Sequence, residues 1–245
     1  FYFDMAPSNH NIMYASSATG KIFRSDNKGR NWRDVTNNLD SKGLGIWSLA
    51  IHPDNSDLVY VGTGAYIHPP GIENDESGMI FRTTNGGESW EKMDIGSKGK
   101  FISSIVIDPI TPAVVYATTG VLDVCKASDL EELAGVYKTT DGGDSWIEAN
   151  TGLLHHGVHR LVIDPADHNT LFVGTGCVPL DDLPNGNIFK STNAGESWTQ
   201  IENSPNHKIG PIVFDPSNSD ILYAQGYYSF YKSIDHGESW EMFFS

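Results

Sequence analysis

The chain has 245 residues, one or two domains by length and enough to bury a sizeable core. It carries 31 Asp and Glu against 16 Lys and Arg, a formal charge of -15, which argues against nucleic acid and anionic membrane surfaces because both draw their affinity from Lys and Arg. With 39% hydrophobic and 11% aromatic residues, 25 Gly and 12 Pro, the composition is globular and rich in turns. No stretch approaches 18 uninterrupted apolar residues, so no membrane insertion is expected. Nor does a basic start with an apolar run and a small-residue cleavage site mark a signal peptide. The chain opens on Phe1 rather than Met, as a piece of a larger polypeptide or assembly would. Two cysteines, Cys125 and Cys177, are too few for a disulfide framework and would make one bridge if their loops meet.

Taken in chain order, the elements repeat. An apolar strand ends at Met5-Ala6-Pro7, a second runs through NIMYASS (11–17), a third through KIFRSD (21–26), and a fourth opens at Trp32. The same order returns with IHP (51–53), LVYVGTG (58–64), MIFRTT (79–84) and Trp90, and again with IDP (107–109), VVYATTG (114–120), VYKTT (136–140) and Trp146. It returns twice more, with IDP (163–165), LFVGTG (171–176), NIFKST (187–192) and Trp198, then FDP (214–216), ILYAQG (221–226), FYKSI (230–234) and Trp240. Four short strands of β-branched and aromatic residues, punctuated by Gly, Asn, Asp and Pro, recur about every 49 residues, the period of a propeller blade. The expected fold is all-β, a single β-propeller domain over 1–245 with five four-stranded antiparallel blades at about 1–40, 41–96, 97–151, 152–203 and 204–245.

Each third strand runs into one box, [S/T]x[D/N]xGxxW, without exception in five copies. Ser25, Thr83, Thr139, Ser191 and Ser233 open the boxes, and Asn27, Asn85, Asp141, Asn193 and Asp235 stand third. Gly29, Gly87, Gly143, Gly195 and Gly237 follow, and Trp32, Trp90, Trp146, Trp198 and Trp240 close them. The hydroxyl and Asx side chains suit a tight turn, the Gly supplies positive φ, and the Trp turns inward to bury apolar surface. These residues resemble the Asp-box, or BNR, repeat of sialidases, the sortilin family, certain xyloglucan-cleaving hydrolases and a photosystem II assembly factor. The resemblance covers nearly the whole chain. It implies that the box lies between the third and fourth strands, remote from the active face, so that Asp141 and Asp235 are turn residues. Asp108, Asp164 and Asp215, each before a Pro, recur in the same way as turn caps.

Function is then expected on the opposite face, at the second-to-third connections. Blades two, three and four carry insertions there, 64–78, 120–134 and 176–186. They hold Glu73, Asp75, Glu76, Asp123, Asp129, Glu131, Glu132, Asp181 and Asp182 against one base, Lys126. This is either a solvated charge run or a surface for a cation or basic partner, and Ser128 with Glu131 resembles a capping box for a short helix at 129–134. Counting back from the Pro turns places Tyr2, Trp47, Ser103, His159 and Arg160 at the start of the innermost strands. Trp47, outside the boxes, either stacks on a sugar or belongs to the core. Ligand-binding candidates are therefore Trp47, His68, Asp123, His159, Arg160, Asp181 and Asp182.

The chemistry is thinner than the architecture. A sialidase would present an arginine triad, but of five arginines only Arg160 is well placed. An inverting glycosidase needs two carboxylates roughly 6.5–9.5 Å apart, for which Asp123, Asp181 and Asp182 are candidates. The segments around the catalytic carboxylates of the xyloglucan-cleaving hydrolases are not recognisable. His155, His156 and His159 match no zinc spacing. No cofactor is firmly implied, calcium being the ion that oxygen-rich insertions would suit. The leading expectation is a non-catalytic recognition or scaffold propeller outside the cytoplasm, binding a protein or glycan through the acidic insertion face. The alternative is a glycoside hydrolase using an Asp pair on that face.

Overall fold

Five copies of one hydrogen-bonded turn organise the chain. A computed structural model of the protein describes residues 2–64, 78–96, 101–120, 124–125, 135–153, 157–176, 178–179, 186–205 and 207–244, with backbone alone for 124–125 and 178–179. In every box the first hydroxyl accepts the amide of the box glycine at 2.9 Å, from Ser25 to Gly29 through Ser233 to Gly237. The same hydroxyl donates to the Oδ1 of the Asx two residues on. That Oδ1 in turn accepts the amide just before the tryptophan, at 2.8 to 3.0 Å. The box glycines have φ between 78° and 100°, and the residue before each is left-handed too, at Lys28, Gly86, Gly142, Ala194 and His236. Two left-handed residues in succession reverse the chain at a cost that only the glycine escapes. The buried hydroxyl holds the pair in place.

The turn joins strands three and four of a meander. In the first sheet β1 (Phe3–Met5), β2 (Met13–Ser16), β3 (Ile22–Ser25) and β4 (Arg33–Asp34) lie in that order, and in the second β5 (Gly45–Ile51), β6 (Val59–Gly64), β7 (Ile80–Thr83) and β8 (Glu91–Met93). The third comprises β9 (Phe101–Ile107), β10 (Val115–Gly120), β12 (Gly135–Thr139) and β13 (Ile147–Glu148), with β11 (Val124–Cys125) outside it. The fourth comprises β14 (Val158–Ile163), β15 (Leu171–Thr175), β17 (Ile188–Ser191) and β18 (Thr199–Gln200), with β16 (Val178–Pro179) outside it. The fifth is β19 (Ile209–Asp215), β20 (Asn218–Gly226), β21 (Phe230–Ser233) and β22 (Glu241–Phe244). This is an all-β propeller fold of five four-stranded antiparallel blades. Two compact units, 1–117 with 139–147 and 118–138 with 148–245, divide the chain, and β10 and β12 run from one to the other.

Within each unit the boxes couple adjacent sheets. In the first, the Trp90 indole donates to Val35 O at 2.8 Å, while the Asn38 side chain both accepts from Trp90 N and donates to Trp90 O. Arg82 of β7 donates to Gly142 O at 2.7 Å and to Asp144 at 2.9 Å, and the Tyr60 hydroxyl shares the Gly142 carbonyl. In the second unit the Trp198 indole donates to Ala149 O, Lys138 to Ala194 O, and Lys190 to both His236 O and Glu238. The basic residue of strand three thus grips the next box. The apolar core follows the same logic, with Tyr14, Ile22, Val35, Val61 and Trp90 clustered in one unit and Phe172, Ile188, Ile212, Leu222 and Trp240 in the other.

One tryptophan departs from the inward turn that the repeat predicts. Trp90, Trp198 and Trp240 are buried and Trp146 half-buried, whereas Trp32 is 40% exposed. The Trp90 and Trp198 indoles donate across to Val35 O and Ala149 O, just beyond the fourth strand of the preceding sheet, whereas those of Trp32, Trp146 and Trp240 donate to the glycine of their own box.

Ordinary physical chemistry of the turn gives two expectations. Thr139→Ala leaves the Gly143 amide without its acceptor in a buried site and costs about 1–3 kcal/mol in urea unfolding. Thr139→Ser keeps the acceptor and stays near wild type, as the serines of three other boxes indicate. The second concerns acid. The Ser145 hydroxyl, then Thr139 and the Ser145 amide, hold the Asp141 carboxyl well below the usual range. Burial alone would raise Asp235, but bonds from Ser239 and Ser233 outweigh it and hold it at about 2. Because both folded values are depressed, their stabilisation is present above the unfolded carboxyl pKa of roughly 4 and is lost as pH falls towards 2 and below. Asp141→Asn with Asp235→Asn, matching the Asn of the other boxes, keeps the Oδ1 acceptors but removes the charge, so it should lower the neutral-pH melting temperature modestly and make the loss between about pH 4 and 2 shallower.

Candidate functional site

The end of each sheet opposite its box gathers the candidates. The innermost strand is irregular there in three sheets, with register shifts between Ile46 and Ser48 in β5, Val158 and Arg160 in β14, and Ile209 and Ile212 in β19. Such a bulge re-aims the side chain that it expels from the ladder, and bulges are common beside functional sites. The residues in the first two shifts are Trp47 and His159. Sequence reasoning placed both at strand starts; the backbone irregularity makes them equivalent positions of one repeat.

In the first unit the Trp47 indole donates to Gly64 O at 2.9 Å, at the end of β6, and its ring meets Phe101 edge-on with centroids 5.4 Å apart. Glycines make the space. A Cβ on Gly45 would stand 2.8 Å from Trp47 Nε1, and one on Gly64 would run into the Phe101 ring. The indole N–H is therefore committed to the scaffold, and the half-buried ring is held at a fixed angle.

In the second unit His159 Nε2 lies 2.5 Å from Gly176 O, directly after β15. Arg160, next to it, pairs with Gly174 across the β14–β15 ladder and is half-buried. Two insertions also meet here. The strands β11 and β16 pair in parallel, Val124 with Val178 and Cys125 with Pro179, so the loops of the third and fourth sheets are joined by backbone. Cys177 lies outside the described residues, as do His68, Asp123, Asp181 and Asp182, the remaining acids of the insertions, His155, His156 and the segment 129–134 expected to be helical.

The fifth sheet adds residues that sequence reasoning passed over. His207 Nε2 lies 2.6 Å from the Tyr231 hydroxyl, which also takes a bond from Ser229 at 3.0 Å. On the same tight β20–β21 connection, the Tyr227 and Tyr228 rings have centroids 4.1 Å apart, and Tyr228 is 79% exposed. Their only signal in the sequence was an aromatic pair where a two-residue turn needs none.

Elsewhere, ionisable groups serve packing. Arg24 is bound by Asp26 and Asp57, Arg82 by Glu91 and Asp144. These arginines hold sheets together and do not converge on a substrate carboxylate. Asp108 caps the amides of Ile110 and Thr111, Asp164 that of Ala166, and Asp215 that of Ser217. A cavity of about 220 Å³ at the box end, lined by Lys190, Thr192, Ser197, Thr199, Ile201 and Glu238, contains one carboxylate, already paired with Lys190. Among the described residues no three of His, Cys, Asp and Glu stand together as a metal would require.

No protein-family model matches the chain. It is 28% identical over 166 residues to the xyloglucanase of Hypocrea jecorina (strain QM6a), covering 61% of this chain and 18% of that protein. It is 24% identical over 229 residues to the oligoxyloglucan-reducing end-specific xyloglucanase of Emericella nidulans, covering 87% and 25%. The chain thus spans a quarter or less of the length of these curated relatives. Among solved structures, the GH74 enzyme of Niastella koreensis superposes with a TM-score of 0.71 at 21% identity, over 99% of this chain and 38% of that one. YCF48 of Cyanidioschyzon merolae gives 0.50 at 13%, over 98% and 83%. At these identities the structures share the fold.

Trp47 offers a direct check on the site's rigidity. Trp47→Phe preserves the edge contact with Phe101 and deletes the bond to Gly64, for an expected loss of about 1 kcal/mol in chemical denaturation. Trp47→Ala removes both and should cost about 2 kcal/mol or more.

Proposed function

We propose that this chain is the propeller portion of a glycan-directed protein, and that it acts as a glycoside hydrolase on a xyloglucan-type polysaccharide from the face of the second-to-third connections. The observation that carries the reading is the similarity to xyloglucanases, which at 24% identity extends over 87% of the chain. The geometry is compatible with it. Taken unit by unit, the rigidly held indole at Trp47 in the first, and the bulged His159 and the exposed Tyr227–Tyr228 pair in the second, are flat or polar groups of the kind that bind sugar rings and hydroxyls. The acids come from the insertions. Asp123, Asp181 and Asp182 are the candidates, one carboxyl protonating the leaving glycosidic oxygen while another takes a proton from the attacking water. Parallel pairing of β11 with β16 is backbone support of the sort such a pair requires, because it ties the loop bearing Asp123 to the loop bearing Asp181 and Asp182. A polymeric glycan is met outside the cell, so the proposal includes an extracellular location.

The test separates hydrolysis from recognition. Incubated with xyloglucan, cellulose and mixed-linkage β-glucan, the protein should bind and cleave xyloglucan alone. Asp123→Asn, Asp181→Asn and Asp182→Asn should each be measured, and at least one should lower kcat by 10²-fold or more with little change in binding, as loss of an acid–base group does. Binding without cleavage would return the protein to the recognition class. Neither binding nor cleavage would dismiss both.

A further inference from the structure

Across from the strand-three cation, one fourth-strand side chain decides how much room is left beside it. In the first sheet Arg24 faces Arg33 in the β3–β4 ladder, and Asp26 binds both guanidinium groups. In the second sheet Arg82 faces Glu91, and the two bond at 3.0 Å. In the fourth sheet Lys190 faces Thr199, which is shorter and carries no charge. The cavity of about 220 Å³ opens there, between Thr199 and Glu238 of the next box. Sheets four and five lie in one compact unit, so every wall of it belongs to the same body.

The lining is polar and its charges cancel. Lys190 and Glu238 pair at 2.5 Å, and Ile201, 7% exposed and clustered with Trp240, gives one apolar wall. The Thr192 and Thr199 hydroxyls make no hydrogen bond among the described residues. Ser197 adds a donor because of what stands third in its box. Asn193 Oδ1 accepts the Ser191 hydroxyl and the Ser197 amide, which leaves Nδ2 to donate to Ser197 Oγ at 2.9 Å. A hydroxyl oxygen that accepts keeps its own proton to give. Where Asp stands third the polarity is reversed, since Ser145 and Ser239 spend their protons on the carboxylates of Asp141 and Asp235. The second box has the same Asn–Ser bond, from Asn85 to Ser89, but there Glu91 stands beside the cation.

We propose that this cavity binds one neutral polyhydroxylic ring, a pyranose that is either free or the end of a glycan. An anion would meet Glu238 and a cation Lys190, while an apolar group would leave three hydroxyls without partners. Sugar hydroxyls can donate to the Glu238 carboxylate, accept from Lys190 and Ser197 and bond either way to the two threonines, and a C–H face can rest on Ile201. The volume falls below the roughly 300 Å³ at which pockets for larger ligands begin, which limits the occupant to about one ring. With a single carboxylate, the site holds a sugar and does not cleave it. It lies at the opposite end of the fourth sheet from the 176–186 insertion, so the inference is independent of hydrolysis there.

The test is an NMR titration of the intact protein with glucose, xylose, galactose and xyloglucan oligosaccharides, with acetate as the anionic control. The amides of Ser197 and Thr199 should shift saturably, with a Kd on the order of millimolar for a single ring. An oligosaccharide that binds several-fold more tightly than its free sugars marks a glycan end as the natural occupant; equal affinity marks the free sugar. Thr199→Glu, which supplies the counterpart of Glu91, should weaken binding about tenfold or more while the melting temperature holds or rises. Asn193→Asp keeps the Oδ1 acceptor, draws the Ser197 proton away from the cavity and should weaken binding several-fold. Asp181→Asn should bind these sugars at Ser197 and Thr199 as the wild type does, so this site and the hydrolytic one fail separately. The proposal is overturned if no sugar shifts these amides at ten times the expected Kd, if Thr199→Glu leaves the shifts unchanged, or if acetate binds as tightly as the sugars.

Discussion

A buried hydroxyl bound to a glycine amide is the contact on which the rest of this structure depends. Two successive left-handed residues are an unfavourable way to turn a chain, and nothing in the flanking strands compels them. The Ser or Thr at the head of the box does so, by offering the glycine N–H an acceptor where water cannot reach, and by fixing the Asx that closes the turn. Once the turn exists, the tryptophan leaves it at a set angle and the carbonyl before the glycine points outward. Both are what the neighbouring sheet binds. The same few atoms thus specify a local turn and the manner in which one sheet docks on the next.

This economy explains why so much charge in the chain has no bearing on chemistry. Arg82, Lys190, Asp144 and Glu238 are junction residues, and Asp108, Asp164 and Asp215 cap turns. Asp164 is the most buried of these, at 1%, and its second oxygen lies 2.8 Å from His236 Nε2 of the fifth box. Acids within the repeat are consumed by architecture. The opposite end of each sheet, where bulged strands and insertions interrupt the repeat, is where we propose that catalysis lies.

Different parts of the molecule were legible in the sequence to different degrees. The four-stranded unit was plain, since a turn that must satisfy its own backbone leaves a rigid spacing of hydroxyl, Asx, glycine and tryptophan. Interchange of Asp141 with the Asn of other boxes was intelligible too, because a single Oδ1 does the work. The candidate site was read only as positions. Trp47 was ambiguous between sugar platform and core because its environment depends on Phe101, 54 residues away, and on two glycines that give it room. His207, Tyr231 and Ser229 carried no local signal, as their contact spans 24 residues and no periodic pattern links them.

The sequence by itself determined the repeat, its strand order and the chemistry of each turn, because these rest on interactions within about eight residues, where spacing and side-chain type suffice. The tertiary structure alone decided which equivalent residues are covered. Val35 and Phe243 both stand three residues after a box tryptophan, yet Val35 is buried while Phe243, at a register shift between β21 and β22, is 57% exposed. Burial is a property of what lies across a sheet, and the partner that supplies it is remote in the chain.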